Sequence, residues 1–328
     1  MKIKFRHPES STKILFRKII FSALCLFLVL SSSQSFAVNA PTKPAPETDW
    51  EEALIQGNIN ISNWFDSFAD GLDLFLVGKR VTERRNETQI EIENSAVITE
   101  KEDFENSVNF GINLRLPNVE EYWNVKFTSY DEQEEGRDLK NAYLRQTPRQ
   151  KNYGATIGLL AKLGNVRTTF EPRIELQDPL KVSHTLTFES VAETRGFEFN
   201  PKLQFYADSS DGLGTTQSLN FHFRLNTKSS ITLTNQGDYQ EKIALYSVLN
   251  GITYGRELSK ISAISFSLLL SSENRPNYHL EAYNISTAYT RVLYRNILTA
   301  QFIPNVDFSE TYGFERVLGL TVNLNLFF

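Results

Sequence analysis

A chain of 328 residues can form one large unit or two ordinary domains, and its single cysteine leaves no disulfide and no thiolate metal site. Formal net charge is −5, and loss of residues 1–37, which hold six Lys or Arg and one Glu, would make it −10. A balance that acidic argues against nucleic acid as a partner.

The first segment explains the cysteine. Residues 1–18 are polar and basic, Ile19 to Leu30 is predominantly apolar, and Ser35-Phe36-Ala37 offers a cleavage site before Val38. This reads as a signal peptide spanning 1–37. The apolar run is shorter than the roughly 20 residues a spanning helix needs. Cys25 lies inside it without the preceding small residues of a lipid-attachment site. Nothing later is long and apolar enough for a helical span, so any insertion in a membrane is by strands.

Residues 38–87 form a second region. Val38 to Thr48 is a Pro- and Ala-containing leader. Ser62 can then cap a short helix carrying Trp64, Phe65, Phe68 and Leu72 on one side, with Gly71 near its end. Leu74 to Val77 and a charged run, Lys79 to Glu87, follow. This region is expected on the periplasmic side, either plugging a barrel base or lying against its first strand.

From Thr88 to Phe328 the pattern becomes strands separated by polar turns, each strand alternating apolar with polar side chains. In Ser107 to Leu116, Val108, Phe110, Ile112 and Leu114 oppose Asn109, Gly111, Asn113 and Arg115. In Val166 to Leu176, Val166, Phe170 and Ile174 oppose Arg167, Thr169, Glu171, Arg173 and Glu175. Phe197 to Ala207 sets Phe197, Phe199, Leu203 and Phe205 against Glu198, Asn200, Lys202 and Gln204, and Leu219 to Asn226 sets Phe221 and Phe223 against His222 and Arg224. A strand of about thirteen residues at about 3.3 Å each, tilted near 45°, crosses a ~30 Å hydrocarbon core.

A two-layer soluble sandwich gives the same alternation, so periodicity alone does not choose. The signal peptide, the unchanging strand character and tyrosines near strand ends favour a transmembrane, antiparallel, up-and-down all-β barrel. Tyr122, Trp123, Tyr130, Tyr153, Tyr206, Tyr254, Tyr278, Tyr289 and Tyr294 suit its aromatic belts. About fifteen strand candidates arise, and a barrel with both termini on one side needs an even number. Removing Leu139 to Gln146, between the acidic Asp131 to Glu135 run and Arg149, leaves about fourteen within a range of 12–16. The removed stretch becomes a long outer loop. Short connections then fall at Leu163 to Asn165, Glu193 to Gly196, Asn226 to Ser229 and Glu257 to Lys260 on the periplasmic side. Ala207 to Gln217, Ser271 to Asn277 and Ser309 to Glu315 are the outer loops. Pro172, Pro201 and Pro304 fall inside strands, where each removes a ladder donor and suggests a bulge.

Arg115, Lys126, Arg167, Glu171, Arg173, Glu175, Glu198, Lys202, His222 and Arg224 lie on the polar faces and are the expected pore lining. Charges of both signs across a lumen create a field that selects small polar solutes, or they pair and fill the interior. For catalysis the signal is thin. No nucleophilic triad is readable, and no nucleotide, zinc or calcium motif occurs, so no cofactor or metal is expected. Ser183 with His184, and His279 with Glu281, are the pairings a barrel enzyme of lipase, deacylase or protease type would use. A structural envelope barrel is the remaining alternative to a channel.

The last strand adds a resemblance. Leu318, Leu320, Val322, Leu324, Leu326 and Phe328 share one face, and Gly319, Thr321, Asn323 and Asn325 the other. This ending resembles the terminal strand of porin-like Gram-negative outer-membrane β-barrels, whose closing aromatic residue is read by the insertion machinery. The resemblance implies an outer-membrane location, Leu324, Leu326 and Phe328 as an insertion signal, and lipids and that machinery as partners.

Overall fold

The computed structural model describes residues 52, 55–64, 66–67, 88–115, 123–137, 149, 151–210 and 212–328. The signal peptide, the leader, Tyr122, the Leu139 to Gln146 stretch and the side chains of Arg115 and Trp123 lie outside the described residues.

Among the described residues fifteen strands follow in sequence: β1 Gln89–Thr99, β2 Glu105–Arg115, β3 Trp123–Thr128, β4 Gly154–Leu163, β5 Val166–Glu175, β6 Lys181–Ser190, β7 Ala192–Glu193, β8 Phe197–Asp208, β9 Gly212–Asn226, β10 Ser229–Gln240, β11 Leu245–Ser259, β12 Ser262–Glu273, β13 His279–Tyr294, β14 Leu298–Ser309 and β15 Val317–Phe327. Sequence neighbours pair antiparallel, β1 pairs with β15, and β6 pairs with β8 past the two-residue β7. The sheet is therefore a closed barrel of fourteen full strands, and closure leaves no edge to template aggregation. At the seam, Phe328 exchanges backbone hydrogen bonds with Ile90.

The faces are arranged inside out relative to a water-soluble protein. Among the described residues, buried polar side chains outnumber buried apolar ones, while Ile157, Phe170, Ile174, Phe205, Phe266, Leu268 and Ile285 are exposed. Such a surface needs hydrocarbon rather than water against it. Aromatic groups gather toward both ends of the outer face. Tyr283 stacks on Phe308 at one end with ring centroids 4.5 Å apart, and Phe199 meets Phe221 at the other at 5.0 Å. Tyr130 and Tyr206 do not join these belts. Both are buried inside, and Tyr206 must be, because Phe205 beside it points outward and successive strand residues alternate.

The turns partition as the alternation requires. Those after β4, β9, β11 and β13, of two or three residues, lie at the end where β15 stops, and the long β3–β4 connection lies at the other. The expected outer loop Ala207 to Gln217 is shorter than read, since Gly212 already begins β9. The prolines need no bulge. Around Pro172 and Pro304 the β4–β5 and β13–β14 ladders skip residues without changing register, and Pro201 lies one residue past the last β6–β8 pair. The missing donor is absorbed by a gap in one ladder while the other stays intact.

Near the seam end, residues 55–64 are helical, so Ser62 sits within the helix rather than capping it. Asn58 Nδ2 donates to the Phe327 carbonyl at 2.7 Å, which places this helix beside the end of β15.

Candidate functional site

The connection between β3 and β4 enters the barrel. Asp131 Oδ1 accepts from the Gln133 N–H at 2.8 Å and the Glu134 N–H at 3.3 Å, an N-cap that starts the short helix α1, Glu132–Arg137. Its side chains then reach wall residues of successive strands. Glu132 pairs with Lys126 of β3 at 2.8 Å, Gln133 bonds Glu171 of β5 and Gln204 of β8, and Glu134 pairs with Lys181 of β6 at 3.4 Å. Gln236 of β10 donates to the Gly136 carbonyl at 2.8 Å. In the other direction Arg149 spans Glu135 at 2.9 Å and Glu93 of β1 at 3.0 Å. The described flanks of the stretch read from sequence as an outer loop, Asp131 to Arg137 and Arg149, are thus anchored from β1 to β10 within the lumen. An acidic stretch reads as solvated until the cations that neutralise it are placed beside it.

Arg173 pins this loop. Its Nη2 donates to the carbonyls of Tyr130 at 3.0 Å and Asn152 at 2.5 Å, which flank the inward segment. Nη1 donates to Thr128 Oγ1 at 2.8 Å, and Nε faces Glu175 at 3.4 Å and Asp131 at 3.6 Å. A planar fork with five donors suits five acceptors arranged this way, and lysine does not. Gly154 makes the room, because a Cβ there would stand 2.7 Å from the Arg173 guanidinium carbon. Tyr206 supports the far end. Its ring lies over Gly214, its hydroxyl donates to Asp238 at 3.1 Å, and the Arg137 guanidinium stacks above it at 4.0 Å. Arg149 stacks likewise on Tyr130 at 3.8 Å. Burial pushes the Tyr130 phenol up to about 12, against the opposing pull of Arg149.

The expected lining residues divide into two groups. Lys126, Glu171, Arg173 and Glu175 converge on the loop, and Lys126 lies 3.8 Å from Glu171. Arg224, Glu198 and His222 sit toward the seam end, where Arg224 pairs with Glu193 at 2.7 Å and Glu198 at 3.6 Å, and His222 meets Thr232 at 2.9 Å. Lys202 is opposite Glu189 in the β6–β8 register, and Arg167 is an exposed residue 4.0 Å from Glu189. Asp131, Gln133, Glu134, Arg137, Arg149, Lys181, Tyr206 and Asp208 complete the cluster, none of them among the lining residues expected from sequence. The Asp131 cap ahead of three glutamates was the one local sign of α1.

Two cavities flank these contacts. One of about 530 Å³ is lined by Glu91, Asn113, Lys126, Thr128, Tyr130 and Glu132. The other, about 420 Å³, is lined by His222, Arg224, Ser230, Ser265, Ala288 and Thr290. The suggested histidine pairings do not form. Ser183 points inward while His184 points outward, stacked on Phe170, and His279 pairs with Glu310 at 2.9 Å while Glu281 accepts from Ser271.

No family model and no curated sequence matches this chain. Solved structures do match. The outer membrane channel DcaP of Acinetobacter baumannii aligns with a TM-score of 0.46 at 5% identity, over 74% of this chain and 97% of that one. OccK11 of Pseudomonas aeruginosa gives 0.44 at 10%, over 74% and 95%. A KdgM porin in complex with disordered oligogalacturonate gives 0.37 at 8%, over 72% and 98%.

Proposed function

We propose that this protein is a channel of the bacterial outer membrane that admits small polar solutes. The observation that carries the reading is the combination of an apolar outer face with a polar interior that holds an inward loop and two cavities, one of them lined in part by that loop. In this reading the loop narrows the lumen, and Arg115, Lys126, Arg167, Glu171, Arg173, Glu175, Glu198, Lys202, His222 and Arg224 line the path. Leu324, Leu326 and Phe328 present the outer face of the last strand to lipid and to the insertion machinery. Purified barrel added to planar bilayers is expected to give stepwise ion currents. A protein that inserts, migrates as a folded barrel unless boiled, and passes no current contradicts it.

A further inference from the structure

We infer that the outer face of β11 to β13 holds an acidic phospholipid by its headgroup at the seam end. The inference rests on the barrel's outer-membrane location and names the lipid that one patch of its surface selects. Ile252, Phe266 and Ile285 fix which side of these strands faces outward, since all three are exposed. By the same alternation Tyr254 and Arg256 of β11 face outward, and so do Tyr289 and Arg291 of β13. Each strand thus repeats one pattern, a tyrosine followed two residues later by an arginine closer to the seam end. Arg256 pairs with Ile264 of β12, Ile264 with Tyr289, and Ser262 with Arg291. The two arginines therefore stand two strands apart, roughly 10 Å across the sheet, and Lys260 lies in the β11–β12 turn between them.

An outward cation is costly within hydrocarbon and tolerated at its boundary, so the two arginines mark where acyl chains give way to headgroups. The tyrosines, one pleat nearer the barrel's middle, occupy the depth of an aromatic belt, and the Tyr254 hydroxyl donates to Ser229 Oγ at 3.3 Å. Among the described residues Arg256, Lys260 and Arg291 have no ion-pair partner. Glu257, the nearest acid in sequence, faces the lumen with its ladder partner Ala263. No acid occupies an outward position in this half of the three strands. Three such cations at headgroup depth suit a phosphodiester, which a guanidinium binds through paired hydrogen bonds. Leu258, Ile261 and Leu293 beside them are exposed, so the patch offers apolar surface to the acyl chains of the same molecule. A zwitterionic lipid also brings a phosphate, but its own cation is repelled by the other two charges of the patch.

The test is native mass spectrometry of the full-length mature barrel released from bilayers that hold phosphatidylglycerol and phosphatidylcholine in equal amounts. Phosphatidylglycerol adducts are expected to exceed phosphatidylcholine adducts by at least about fivefold, the factor that one surface cation supplies against an acidic lipid. The triple variant Arg256→Gln, Lys260→Gln, Arg291→Gln should lose that preference. A control triple, Lys101→Gln, Lys242→Gln, Arg275→Gln, removes the same charge at the opposite end and should keep it. Heat-dependent gel migration confirms that each barrel is folded. Equal adducts of the two lipids on the unaltered barrel overturn the inference whether or not a variant folds, and so does a preference that survives the first triple or is lost equally in both. Recovery of the native protein outside outer-membrane fractions overturns the location beneath it.

Discussion

The two halves of the barrel wall solve the problem of a polar interior differently. From β1 to β8 the inner face is charged, and its groups are held by one another and by α1 through Arg149, Arg173 and Lys181. From β11 to β15 the inner face is Ser247, Thr253, Ser265, Ser267, Asn284, Ser286, Gln301, Asn305, Thr321 and Asn323, interrupted by the buried Leu249 and Leu269 in contact. Its ionisable groups Glu257, Glu273, Glu281 and Asp307 sit within two residues of strand ends. A buried charge left without its partner costs several kcal/mol, whereas a hydroxyl or amide left alone costs about 1–3 kcal/mol. Charges therefore collect where a loop brings enough partners, and the β11–β15 wall keeps its few charges near the strand ends. A solute crossing the lumen would meet strong fixed fields on one side and adaptable hydrogen-bonding groups on the other.

Substitutions on the two walls sharpen this contrast. The largest effect is expected from Arg173→Ala, which leaves Asp131 and Glu175 buried without their guanidinium and frees both ends of the inward loop. Loss of about 3–5 kcal/mol in urea unfolding, with larger and noisier current steps, is the expected outcome, and Arg173→Lys should restore little of it. Next comes Gly214→Ala, whose added Cβ would stand 2.1 Å from the Tyr206 ring that Arg137 covers. A ring held on both faces cannot step aside, so a loss of about 1–3 kcal/mol is expected from the unfolding midpoint. Gly251→Ala, on the β11–β15 wall, meets the end of the Leu269 side chain at 2.4 Å, which a rotamer change relieves. It should cost under about 1 kcal/mol. Smallest of all is Asn284→Ala, because neither amide atom of Asn284 has a hydrogen-bond partner. A shift of less than about 1 kcal/mol is expected, and a loss as large as that of Arg173→Ala would erase the distinction between the walls.

Much of this barrel is legible in the chain because lipid and water sort adjacent residues onto opposite faces. Phe197, Phe199, Leu203 and Phe205 facing out, with Glu198, Lys202 and Gln204 facing in, is read off the sequence directly. The same parity extended by one residue places Tyr206 inside, so its assignment to an aromatic belt was an error of residue type overruling position. Fourteen strands follow from the even count once a weak candidate is set aside. The site was less legible. Asp131 to Glu135 looks like any solvated acidic stretch, since Lys126, Lys181 and Gln236, which draw it inward, lie on β3, β6 and β10. Partners set by closure of the whole barrel leave no local pattern.

The central claim is that adjacent residues of one strand face lipid and lumen, and β12 tests it with a single pair. Phe266 is an exposed outward residue, and Ser265 beside it lines the 420 Å³ cavity. The only natural cysteine is Cys25, so with Cys25→Ser in the background a cysteine placed at either position would be the sole thiol. In membranes, a water-soluble maleimide should label Ser265→Cys and spare Phe266→Cys, while a lipid-soluble one should label Phe266→Cys. Equal labelling at both positions by the water-soluble reagent, or the reverse order, would contradict the account.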